Sequence, residues 1–170
     1  MYSQGYSVGE IRGLVADGFW DSYDEINDPR NPYVTFNPNP IPGDIRYKDI
    51  NGDMKIDRYD VIPKGKTGVP RSTVTFTTEL NWKNFDFSVL FQGATDLIFV
   101  PNEENRVMMN EGWGSYTWIR DRWTPQTRDG YYPVLHSVNN VSQSNFQSST
   151  FWEYDATYLR LKNLELGYTI

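Results

Sequence analysis

The sequence predicts an all-β chain of antiparallel strands joined by long polar loops, and three observations carry that expectation. Aromatic side chains make up 16% of the 170 residues, yet mean hydropathy is only −0.63. Aromatic residues scattered through a polar chain suit two-faced strands better than a helical bundle. Residues 71–92 alternate apolar and polar side chains in two runs separated by a short break, and residues 157–170 are rich in Leu and Tyr without a helical period.

Taken in order, residues 1–20 mix Gly5, Gly9, Gly13 and Gly18 with irregularly spaced apolar residues, which predicts extended chain with one or two short strands. Residues 21–27, DSYDEIN, are expected to form a helical turn or two under an Asp or Ser cap. Pro29, Pro32, Pro38, Pro40 and Pro42 then exclude regular structure up to an acidic stretch at residues 43–60.

That stretch, GDIRYKDINGDMKIDRYD, concentrates the most chemistry. Asp49, Asn51, Asp53, Asp57 and Asp60 stand at positions 1, 3, 5, 9 and 12 of a twelve-residue window, with Lys55 at position 7 able to offer its carbonyl. Hard oxygen donors in this rhythm suit calcium. Met54 replaces the usual Gly at position 6, and Asp60 the longer Glu at position 12. The alternative is a surface loop of Asx turns that binds nothing.

In residues 71–83, Val74, Phe76, Thr78, Leu80 and Trp82 alternate with Thr73, Thr75, Thr77, Glu79 and Asn81. After Asn84, Phe85, Phe87, Val89 and Phe91 continue the apolar row. A turn at Lys83 and Asn84 makes this an antiparallel hairpin. Long strands with one apolar face and aromatics near a short turn fit a transmembrane barrel, and they fit a soluble sandwich as well.

Residues 101–155 form a long irregular region. Trp113, Tyr116, Trp118 and Trp123 are its candidate substrate-binding residues, because aromatic faces beside polar groups can grip sugars; a mini-core holding the loop together is the other reading. His136, the single histidine, lacks a partner set for metal or triad chemistry and reads as an ordinary loop residue. In residues 157–170, Tyr158, Arg160, Lys162, Leu164, Leu166 and Tyr168 alternate with Leu159, Leu161, Asn163, Glu165, Gly167 and Thr169, a mixed pattern rather than a clean two-faced strand, yet still strand-like.

Composition excludes several classes. A net charge of −6 with a pI near 4.7 leaves no basic stripe for nucleic acid. The absence of cysteine excludes a disulfide scaffold and a thiol nucleophile. The opening residues do not read as a signal peptide, and no apolar run is long enough for a transmembrane helix, so a membrane role would have to come through a β-barrel.

Several segments resemble the SusC/RagA family of TonB-linked outer-membrane proteins. Residues 43–57 resemble its GDI-(K/R)-Y-x-D-x-N-G-D-G-x-I-D signature, and residues 13–26 the segment that precedes it. Residues 82–93 are similar to its Y-K-N-(F/L)-D-(F/L)-S-x-x-(F/L)-Q-G hairpin, and Arg122, Trp123, Thr124 and Pro125 with Tyr132 and Pro133 to its R-W-T-P-E…Y-P loop. Residues 158–169 resemble its Y-L-R-L-K-N-(I/L)-x-L-G-Y-(T/S) strand. The resemblance implies that residues 1–170 are a partial, C-terminal piece of a transmembrane β-barrel in the outer membrane, with the plug domain and the last strands absent. It also implies import of glycan oligosaccharides or peptides, a SusD-type surface lipoprotein as partner, energy from the TonB complex through the missing plug, contact with outer-membrane lipid, and no bond chemistry. In that topology the Lys83–Asn84 turn is periplasmic, and residues 43–60 and 101–155 are extracellular. The competing expectations are a soluble, calcium-stabilised carbohydrate-binding module that stacks sugars on Trp113, Trp118 and Trp123, and a glycoside hydrolase, for which no pair of carboxylates can be assigned.

Overall fold

The computed structural model describes residues 5–106, 114–136 and 143–170. In chain order these form β1 (Glu10–Gly13), β2 (Ala16–Phe19), α1 (Tyr23–Ile26), β3 (Tyr33–Val34), β4 (Ile45–Tyr47), β5 (Lys55–Ile56), β6 (Ile62–Thr67), β7 (Ser72–Trp82), β8 (Phe85–Thr95), β9 (Ile98–Phe99), α2 (Glu103–Arg106), α3 (Gln143–Phe146), β10 (Tyr154–Asp155) and β11 (Tyr158–Tyr168), with short 3₁₀ turns between. Strands dominate and the helices are single turns, as an all-β reading requires. No helix among the described residues is long and apolar enough to cross a membrane. The chain divides into a sheet unit, residues 1–11, 65–100 and 153–170, and a loop unit, residues 12–64 and 101–152.

The sheet unit is built on three antiparallel strands in the order β11-β8-β7. Each has eleven residues. Trp82 pairs with Phe85 across a two-residue turn, and the register runs without interruption to Ser72 opposite Thr95. Lys83 takes a φ of 55° in that turn, as the first central residue of a primed turn must. Its ammonium lies 4.9 Å from the centre of the Trp82 ring.

β11 explains its own mixed sequence pattern. Leu159 and Leu161 pair with Gly93 and Phe91, whereas Leu164, Leu166 and Tyr168 pair with Val89, Phe87 and Phe85, and the register shifts between Leu161 and Asn163. A strand with strict alternation would send these two groups to opposite faces. One extra residue, Lys162, inverts the phase and returns both to the same face. The result is one continuous apolar surface: Val74, Phe76, Leu80 and Trp82 of β7, the Phe85–Phe91 row of β8, and the five β11 side chains. Most of it is exposed, from 47% at Phe85 to 76% at Leu166. At the turn end the rings of Phe85 and Tyr168 are 4.8 Å apart. The opposite face is polar, with Arg160 donating to Gln92 Oε1 at 3.0 Å across the strands.

The loop unit has little regular structure. Its core holds Leu14, Trp20, Val34, Ile45, Ile56, Trp123 and Trp152, all nearly inaccessible. β2 pairs antiparallel with β4, and β3 pairs parallel with β5. In β4, Ile45 and Tyr47 point inward, while Arg46 between them faces out to pair with Glu25 and to donate to the Asp17 carbonyl at 2.9 Å. Ser22 caps α1 by accepting from the Glu25 amide at 3.2 Å, the cap that DSYDEIN suggests. The proline-rich segment carries only the two-residue β3 between Pro32 and Pro38.

Candidate functional site

Short strands leave many backbone groups without ladder partners, so a loop unit must satisfy them by side chains. Here the hub is Asp44, fully buried in the turn that opens β4. Its Oδ1 accepts from His136 Nε2 at 2.6 Å and from Asn145 Nδ2 at 3.0 Å. Its Oδ2 accepts from the Ile41 amide at 3.0 Å and from Asn37 Nδ2 at 3.3 Å. Asn145 in turn accepts the Ile45 amide at 2.9 Å, and the Tyr47 hydroxyl donates to the Ser144 carbonyl at 2.5 Å. Burial pushes the Tyr47 phenol well above its ordinary range, and the charge of Asp44 acts in the same direction. His136 is therefore no ordinary loop residue: it closes the network from a position 92 residues away.

Gly43, beside Asp44, lets two motifs meet. Its φ is +93°, and a Cβ placed there would fall 2.5 Å from Trp123 Cε3 and 2.7 Å from Val134 Cβ. Its carbonyl accepts from the Val134 amide at 2.9 Å. Trp123 is held by a backbone crossing in which its amide donates to the Tyr132 carbonyl at 2.7 Å and the Tyr132 amide donates to Asp121 at 2.9 Å. The G-D-I turn and the R-W-T-P…Y-P loop thus form one packed junction.

The acidic loop folds on itself. Asp49 accepts from the amides of Gly52 and Met54, each at 2.7 Å. Asn51 accepts from Asp53 and Asp53 from Lys55, both at 2.9 Å. Asp57 caps a 3₁₀ turn over Arg58–Asp60, and the buried Asp60 accepts from Ile50 and Asp57 amides at 2.8 Å. As folded, these oxygens face the loop's own amides, and among the described residues no three acidic or histidine side chains gather as a metal shell. Met54, at the position where a calcium loop has Gly, holds the left-handed backbone with a φ of 65°.

Of the aromatic candidates, Trp113 lies outside the described residues. Tyr116 is 54% exposed and Trp123 is buried. Tyr116 stacks on Trp118 with centroids 6.3 Å apart, and Trp118 meets Tyr132 at 3.9 Å. Tyr132 continues to the buried Trp152, so the chain of rings runs from surface to core. Tyr116 and the half-buried Trp118 present a surface, whereas Trp123 serves the junction with Gly43.

No protein-family model matches the chain. It is similar to TonB-dependent receptor P26 of Formosa agariphila, 27% identical over 169 residues and 98% of this chain. It is also similar to TonB-dependent receptor P3 of the same organism, 26% identical over 172 aligned positions and again 98% of this chain. The chain spans 16% of the length of each of these relatives.

Proposed function

We propose that the chain is a segment of a TonB-dependent outer-membrane transporter, with β7, β8 and β11 forming part of a transmembrane β-barrel wall. The observation that carries this reading is the single apolar surface across three eleven-residue strands, brought into phase by the Lys162 bulge. Eleven residues is the length a tilted strand needs to cross the hydrocarbon layer. Rings at the turn end, Trp82, Phe85 and Tyr168, match an interfacial aromatic girdle. The similarity to two TonB-dependent receptors over nearly the whole chain points the same way.

In this proposal the polar face lines the lumen, and residues 43–60 and 101–155 are extracellular. Energy reaches the transporter from the TonB complex through a plug domain carried elsewhere in a longer protein. The imported nutrient is a glycan oligomer or a peptide, and a SusD-type lipoprotein covers the outer mouth. These finer assignments rest on the SusC/RagA-like motifs. Calcium is kept as a ligand of the acidic loop, supported by the donor spacing and by the left-handed backbone at Met54. Binding would draw carboxylates off the amides they now hold, so the affinity expected is millimolar.

The test is an antibody against this segment, applied to fractionated cells of the source organism. An outer-membrane antigen several times the 19.8 kDa of the chain is expected. A soluble antigen of 19.8 kDa would overturn the proposal. In the full-length protein, replacing residues 43–60 and 101–155 by short Gly/Ser turns should abolish partner binding and uptake; unchanged uptake would remove these loops from the mechanism.

A further inference from the structure

The loop unit carries a cleft of about 550 Å³ between α1 and the proline-rich segment. One wall is α1 with Tyr23, Ile26 and Asn27, and the other runs through Pro38, Asn39 and Pro40, with Tyr33 between. Its size falls in the range of small-molecule sites. Among the described residues no Asp, Glu, Lys, Arg or His lines it. A charged ligand would meet no counter-charge from these residues, which suits the cleft to a neutral one.

The polar groups of the cleft divide into two sets. Asn37 is buried, and its side chain is committed to Asp44 and Ser144. Asn39, two residues on, and Asn27 across the cleft have side chains with no hydrogen-bond partner among the described residues, and the same holds for the hydroxyls of Tyr23 and Tyr33. Both tyrosines are more than half exposed. The cleft thus offers amides and hydroxyls that both donate and accept, set among flat pyrrolidine and phenol faces.

Backbone recognition is restricted. Pro32, Pro38 and Pro40 supply no amide to the wall, the Ile41 amide is given to Asp44, and the Tyr33 amide to the Met54 carbonyl. An extended peptide would find few amides to pair with. A ring that presents C–H groups on its faces and hydroxyls at its rim meets every group on offer. The prolines also fix the wall in advance, which lowers the ordering cost of binding.

We infer that this cleft is a binding site for one neutral pyranose unit, stacked on Tyr33 and held by the amides of Asn27 and Asn39. The inference rests on the glycan arm of the proposed function and names where on the loop unit a sugar is held. The experiment is ligand-observed NMR on the full chain in mild detergent with maltose, cellobiose and lactose as probes, and with glucuronate and acetylated dialanine amide as comparisons. At least one disaccharide should bind with a Kd on the order of 1 mM, glucuronate more weakly. Tyr33→Ala and Asn39→Ala, both surface changes, should each weaken that binding about 10-fold. Tyr131→Ala, outside the cleft wall, should leave it unchanged. Absence of any sugar binding at about 50 mM, equal binding by the cleft variants, or preference for the dipeptide would each overturn the inference. Such a failure leaves the cell-fractionation result standing, and a soluble native antigen would sink the transporter reading without altering what the cleft variants report.

Discussion

Adding a single methyl group at Gly43 should break the junction between two segments some eighty residues apart. Two costs add. The φ of +93° is a backbone region L residues avoid, which costs about 1–2 kcal/mol for Ala. The new Cβ would also sit 2.5 Å from the Trp123 ring and 2.7 Å from Val134 Cβ, contacts that force ring or backbone to move at about 1–3 kcal/mol. Gly43→Ala should therefore lose about 2–5 kcal/mol, measured by urea unfolding of the chain in mild detergent followed by tryptophan fluorescence. Gly52 supplies the control. Its φ is +78° with nothing within 4 Å of an added Cβ, so Gly52→Ala carries only the backbone cost, about 1–2 kcal/mol. Equal losses for the two variants would refute the close-approach argument, and a loss at Gly43 below about 1 kcal/mol would refute both parts of it.

Asp44→Ala should cost about 3–5 kcal/mol or prevent folding, because it strands two amides, an imidazole and a backbone N–H in the core, whereas His136→Ala, which leaves the other three donors in place, should cost about 1–2 kcal/mol by the same denaturation assay. Lys83→Gly should stabilise the hairpin by about 0.5 kcal/mol net, relief of the positive φ outweighing the lost cation contact with Trp82, and a fall in melting temperature would contradict the turn geometry. Calcium at about ten times its Kd should add about 1.4 kcal/mol to stability, and Met54→Gly should tighten the site; no melting shift in either protein would leave the acidic loop to its Asx turns alone. Since the phenol of Tyr47 is raised in the folded state, its contribution is fully present below the unfolded value of about 10 and is lost as pH climbs above it. Stability curves of the parent and Tyr47→Phe should accordingly converge as pH rises beyond about 10, and parallel curves would rule this out.

The parts of the fold visible in the sequence are those whose cause is local. The β7–β8 hairpin follows from strict alternation around Lys83 and Asn84, and the α1 cap from Ser22 standing three residues before Glu25. Periodicity loses β11 at Lys162, because a bulge changes which parity faces which way and only the partner strand reveals it. The role of His136 was equally hidden, since its partner Asp44 is distant in sequence and a lone histidine carries no local pattern. Trp123 reads as a sugar platform by residue type, but it is buried, and its packing depends on Gly43, whose missing side chain makes the room. In the acidic loop the donor spacing is plain in the sequence, but the direction each oxygen faces is set by Asx turns that spacing alone does not distinguish from a metal loop.

The Asp44 network also dictates a timetable. Its bonds join Asn37 to Ser144, Asp44 to Asn145 and Ile45 to Asn145 across 107, 101 and 100 residues. A ribosome or a secretion channel delivers the chain from its N-terminus, so residues 12–64 emerge long before His136, Ser144 and Asn145, which complete the network around the buried Asp44. The β7–β8 hairpin, by contrast, closes on local contacts as soon as residue 95 is free. For that interval the early half of the loop unit is a client for chaperones rather than a folded body, and a chain stalled before Asn145 would be a target for proteolysis.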